Sequence, residues 1–71
     1  MEMVGVKLQI NGESREVAVG ASVVDVLTMF GLVDERIAVE HNGRILERSH
    51  YAQTVLREAD MLEIVRFVGG G

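Results

Sequence analysis

The sequence predicts a two-layer α+β domain in which a single helix covers one face of a mixed sheet of four to five strands. Three observations carry that expectation. Two strand-like segments are each followed at once by Asn-Gly, at Asn11-Gly12 and Asn42-Gly43. One stretch, Ser22 to Gly31, switches to helical spacing. A further hydrophobic run, Met61 to Val68, leads directly into Gly69-Gly70-Gly71.

Each element has a local reason. Val4, Val6, Leu8 and Ile10 alternate with Gly5, Lys7 and Gln9, the period of a strand with one face in the core. Asn11-Gly12 then favours a tight hairpin, because both residues tolerate positive φ. The returning strand is expected over Glu13–Val19, with Val17 and Val19 inward and Glu16 outward. Gly20-Ala21 breaks the pattern. Ser22 lies three residues before Asp25, a capping box with the shorter acid in place of Glu. Val23, Val26, Leu27 and Phe30 recur at helical spacing, and Gly31 suits the position just past the helix end, so one helix is expected over about 23–30. Its β-branched residues are mediocre helix formers, which leaves packing against the sheet to hold it.

A third strand is expected over Arg36–His41, with Ile37 and Val39 on one face, followed by the Asn42-Gly43 turn and a short return at Arg44-Ile45-Leu46. Glu47 to Leu56 is mixed and predicts a turn or short 3₁₀ segment. Glu58-Ala59-Asp60 is a polar turn before the last strand, Met61–Val68. If the first and last strands pair in parallel at the centre, the topology is the ubiquitin-like β-grasp. A ferredoxin-like fold needs a second helix, for which residues 47–60 are a poor candidate. The expected organisation is a domain over 1–68 and a flexible glycine tail over 69–71.

Composition narrows the function. A chain of 71 residues makes one domain, and 48% hydrophobic content argues against disorder. Without cysteine there is neither a disulfide framework nor a thiolate metal site. The net charge is −4, and the seven basic residues are scattered singly, which argues against a nucleic-acid partner. No window approaches a membrane span and no signal peptide is visible, so the expected location is the cytoplasm and no membrane is expected as a partner.

Little in the chain can do chemistry. His41 and His50 lack accompanying ligands at metal-site spacing and read as surface histidines. Ser14, Ser22 and Ser49 sit in no nucleophile elbow. Gly69–Gly71 are followed by no helix, so they form no phosphate loop. They have no Cβ atoms and can be threaded into a narrow pocket, which makes Gly71 a deliverable carboxylate. The plain alternative is a frayed terminus or a remnant of cloning. In the last strand, if Leu62 and Ile64 face the helix, Val65 and Phe67 point to the uncovered face and offer a docking patch.

Asn42-Gly43-Arg44-Ile45, Asp60-Met61-Leu62-Glu63-Ile64-Val65 and Phe67-Val68-Gly69-Gly70-Gly71 together resemble the ThiS family, the sulfur carriers of thiamine thiazole biosynthesis. The likeness covers nearly the whole chain. It implies a β-grasp fold and a protein co-substrate without catalytic residues or a bound cofactor or metal. In that family's scheme a ThiF-like adenylyltransferase consumes ATP to activate the terminal glycine. Sulfur from a cysteine desulfurase or persulfide protein then gives a thiocarboxylate, which a ThiG-like thiazole synthase receives. Carried onto this chain, Gly71 reacts, Gly69 and Gly70 give clearance, and Val65 and Phe67 dock. The third glycine and Met1-Glu2 exceed the family pattern. A small monomer when free is expected. The rival readings are a MoaD-like carrier of molybdopterin synthase, disfavoured by the absence of proline, and a ubiquitin-like modifier of other proteins.

Overall fold

The computed structural model describes residues 5–33 and 35–67. Among these residues, five strands and one α-helix follow in the order β1 (Gly5–Ile10), β2 (Glu13–Ala18), α1 (Val23–Met29), β3 (Ile37–His41), β4 (Arg44–Leu46) and β5 (Met61–Arg66), with a 3₁₀ segment at Arg48–Gln53. The sheet order is β2-β1-β5-β3-β4. β1 and β5 lie side by side in parallel near the centre, while β3 is antiparallel to both β4 and β5. This is the expected β-grasp topology.

The alternation in β1 buries Val6, Leu8 and Ile10 and exposes Lys7 and Gln9. Across the sheet, Val17, Val39, Leu62 and Ile64 share that inner face and meet Val23, Val26 and Leu27 of α1. Both turn asparagines take the left-handed conformation, at φ 52° each, and Gly12 and Gly43 continue it, which is why Asn-Gly stands there. In α1 the capping box forms with both of its bonds. Ser22 Oγ accepts from Asp25 N–H, and Asp25 Oδ2 accepts from Ser22 N–H at 2.8 Å. Gly31, at φ 70°, ends the helix in the conformation a Cβ would disfavour.

The segment after the 3₁₀ turn is stitched to the start of the helix. Val23 N–H donates to Thr54 O, and Leu56 N–H donates to Ala21 O at 2.8 Å. Leu56 of this segment and Tyr51 of the 3₁₀ turn are both buried and complete the core.

Three expectations need correction. Val19 does not point inward. β2 stops at Ala18, a turn closes through Ala21 N–H to Ala18 O, and Val19 is exposed within it. β3 begins at Ile37 rather than Arg36, and β5 stops at Arg66. His41 is not a plain surface histidine, because it is half-buried against Asp60. Val4, Val68 and the glycines at 69–71 lie outside the described residues.

Candidate functional site

The last strand is held very differently along its length. At its beginning, two hairpin turns reach in from either side. Asn11 extends the parallel β1–β5 ladder beyond the end of β1: its N–H donates to Leu62 O, its Oδ1 accepts from Ile64 N–H at 2.7 Å, and its Nδ2 donates to Ile64 O. Asn42 does the same from the β3 side. Its N–H donates to Met61 O, its Oδ1 accepts from Met61 N–H at 2.8 Å, and its Nδ2 donates to Asp60 Oδ1. Asp60 Oδ2 lies 2.9 Å from His41 Nε2 and accepts from Arg57 N–H. Burial pushes the Asp60 carboxyl up. The hydrogen bonds from His41, Asn42 and Arg57 N–H, with the charge of His41, outweigh that and hold it below its ordinary value.

The far end keeps its ladder with β3, Arg66 opposite Ile37, but has fewer side-chain ties. Arg66 meets Glu35 in an exposed ion pair at 2.7 Å, and Phe67 N–H donates to Arg36 O at 2.9 Å. An exposed pair of this kind contributes little to stability. What this end presents is apolar surface. Val65 is 51% exposed and Phe67 56% exposed, so both predicted docking residues are accessible.

The structure adds a residue to them. Ile45, 70% exposed, is opposite Glu40 in the β3–β4 pairing, and Val65 is opposite Ala38 in the β3–β5 pairing. Opposed residues in an antiparallel pair share a face, so Ile45, Ala38 and Val65 lie on the same uncovered side of the sheet. Ala38, Ile45 and Phe67 also line one groove of about 380 Å³, whose lining includes Arg36 and Arg48. Ile45 was detectable from sequence. With Leu46 assigned inward beside Val39, strand alternation sends Ile45 to the other face.

The other candidates from sequence have structural roles. His41 is committed to the Asp60 network, and Ser22 is the helix cap. Among the described residues, no group of three His, Cys, Asp or Glu side chains is arranged to hold a metal ion. No helix among the described residues is long and apolar enough to cross a membrane. Fold and site together define a β-grasp protein whose last strand ends beside exposed apolar surface on the uncovered side of the sheet.

Comparison with known proteins agrees. The ThiS family model matches residues 8–71. The sulfur carrier protein ThiS of Bacillus subtilis is 34% identical, over 90% of this chain and 98% of its own length. The crystal structure of a thiamine biosynthesis protein, ThiS, from Geobacter metallireducens superposes with a TM-score of 0.78 at 30% identity, covering 93% of this chain and all of that one. A thiazole synthase of Paramagnetospirillum magneticum is 43% identical over 92% of this chain, but the chain spans only 20% of that relative's length. The chain belongs to the ThiS family.

Proposed function

We propose that this chain carries sulfur as a thiocarboxylate on Gly71 for thiazole formation, with residues 1–68 as the handle and Gly69–Gly71 as the tail. The observation that carries the reading is the apolar surface at Val65, Phe67 and Ile45, placed directly before the glycines at the far end of β5. From Phe67, four residues reach at most roughly 13–14 Å, enough to deliver a chain end into a partner whose surface rests on that patch.

The chemistry follows from the carboxyl group. Its ordinary pKa is about 3.5, so at neutral pH it is an anion able to attack phosphorus. It is also a poor acyl donor, because oxide is a poor leaving group. In the proposed sequence a carboxylate oxygen attacks the α-phosphorus of ATP on a ThiF-like adenylyltransferase, and pyrophosphate leaves. The outer sulfur of a persulfide on a cysteine desulfurase or persulfide protein then adds to the acyl carbon and AMP leaves. A thiol cleaves the resulting S–S bond, releasing the thiocarboxylate and leaving the donor sulfur in a disulfide. The resulting thiocarboxylate is passed to a ThiG-like thiazole synthase. ATP is consumed by the activating partner, and this chain holds no cofactor in the scheme. Glycine at 70 and 71 leaves the approach to the acyl carbon free of side chains.

A thiazole synthase as recipient is supported by the Paramagnetospirillum relative, whose polypeptide includes a segment like this chain. We place the reaction in the cytoplasm, with the carrier monomeric between encounters. Reconstitution with ATP, a sulfur source and candidate activating enzymes, followed by intact mass, tests the reading. Exchange of one oxygen for sulfur is expected. Attachment to lysines of other proteins would instead make the chain a modifier, and transfer only to a molybdopterin synthase would make it a MoaD-like carrier.

A further inference from the structure

The uncovered face of the sheet is ordered in rows. In the β3–β5 ladder Glu40 is opposite Glu63 and Ala38 is opposite Val65, and in the β3–β4 ladder Glu40 is opposite Ile45. Val39, Leu62 and Ile64, their neighbours along the strands, are buried on the inner face, so these side chains all stand on the outer one. One step further along, Phe67 N–H donates to Arg36 O, which sets Arg36 beside Phe67 where β5 ends. The face therefore runs from a pair of glutamates, through apolar Ala38 and Val65, to Arg36 and Phe67.

Two glutamates in direct register are an unfavourable arrangement. Opposed residues on one face bring their Cβ atoms to within about 5.5 Å, and like charges so placed destabilise the pair. Among the described residues the ion pairs are His41–Asp60 and Glu35–Arg66, so neither glutamate has an ionic partner there. Arg44 is opposite His41 and belongs to the inner face, and Lys7 lies beside Ala59, before β5 begins. Arg36 is four residues along the chain from Glu40, roughly 13 Å away in a strand. That exceeds the screening length of about 8 Å at physiological salt. A surface that served only the fold would gain by losing one of the two charges.

We propose, on the reading of Gly71 as the activated end, that Glu40 and Glu63 are the charge determinants of docking and receive a lysine or arginine of the ThiF-like enzyme. Beside that cation the enzyme sets an apolar side chain over Val65 and an acidic one against Arg36. Opposite charges at the two ends of an apolar row also fix which way round the carrier docks, with the tail toward the enzyme's active site. A second copy of this chain also matches acid to base across these rows. A stable interface, however, takes about 20–30 residues from each side, and the rows supply far fewer. A partner that also grips the chain beyond Phe67 gains the rest. Glu40 and Glu63 stand at the other end of the face from Phe67, so they act on binding and not on the reacting carboxyl.

The test follows pyrophosphate release by a ThiF-like adenylyltransferase with ATP at varied concentrations of the full chain. The double variant Glu40→Gln, Glu63→Gln should raise KM about tenfold with kcat unchanged. Added salt should raise KM for the wild type and leave that of the variant nearly flat. With the repulsion gone, the variant should melt at or above the wild-type temperature. Glu13→Gln, Glu16→Gln removes the same charge from β2 and should leave KM unchanged. An unchanged KM for the first variant where wild type is activated, an equal rise from the second, or a lower melting temperature would overturn this proposal alone. So would sedimentation of a wild-type dimer that the first variant abolishes. No pyrophosphate release from wild type would overturn it together with the reading of Gly71.

Discussion

The two ends of β5 are built on opposite principles. At Met61–Ile64 the strand is fastened by the side chains of Asn11, Asn42 and Asp60, each making two or more hydrogen bonds. At Arg66–Phe67 it is held by its ladder with β3, one exposed ion pair and the Phe67 N–H bond to Arg36 O, and it exposes apolar surface. Polar side-chain bonds are concentrated away from the tail, where they define strand position. The exit is left accessible, where the proposed partner would dock. The comparison teaches that polar fastening and exposed apolar surface lie at different ends of the strand, and the proposed function assigns recognition to the second.

Breaking the fastened end should have the largest effect on stability. Asn11→Gly keeps the left-handed backbone but leaves Ile64 N–H without its acceptor, and Asn42→Gly does the same to Met61 N–H. Each should lower unfolding free energy by about 1–3 kcal/mol in urea denaturation. A loss near zero in both would mean that the two asparagines serve only as turn residues.

At the open end the expected pattern reverses. Phe67→Glu, Val65→Glu or Ile45→Glu should weaken binding to the activating partner by about tenfold or more, since a charge replaces apolar contact. The melting temperature should barely move. Calorimetric titration paired with thermal melts separates the two effects, and a stability loss equal to that of the asparagine variants would erase the contrast.

Acid should act on the fastened end. Asp60 is held below its ordinary value of 3.8, so in the folded state it keeps its charge to lower pH than in the unfolded chain. Its stabilisation is therefore fully present above that ordinary value and is lost as pH falls through it toward the folded value. Urea midpoints at neutral and acidic pH should converge between wild type and Asp60→Asn as pH drops. A constant gap would contradict the assignment. The smallest effect belongs to Glu35→Gln, which breaks only the exposed pair with Arg66 and should cost about 0.5 kcal/mol or less.

How much of this was legible in the sequence depends on whether a local rule applied. The turns, the capping box and the β1 alternation are short-range patterns, and each stands where the spacing places it. Val19 was misplaced because alternation does not announce where a strand ends, and the Ala18–Ala21 turn claims that residue. The Asn11 and Asn42 clamps were invisible. Both residues read as turn formers, and their side-chain partners on β5 lie up to 53 positions away. His41 was missed for the same reason, since its partner Asp60 is 19 residues off. Val65 and Phe67 were found because β-strand alternation needs only one inward residue to fix the rest, and the same argument applied to β4 would have found Ile45.

The central claim is that Gly71 is the atom-bearing end of a sulfur carrier, served by the open exit of β5. It is tested most directly by intact mass of the chain and of a variant lacking Gly71 after incubation with ATP, a sulfur source and an activating enzyme. The account predicts exchange of one carboxyl oxygen for sulfur in the full chain and none in the shortened one. Equal sulfur loading of both, or loading of neither under conditions that load a ThiS relative, would contradict it.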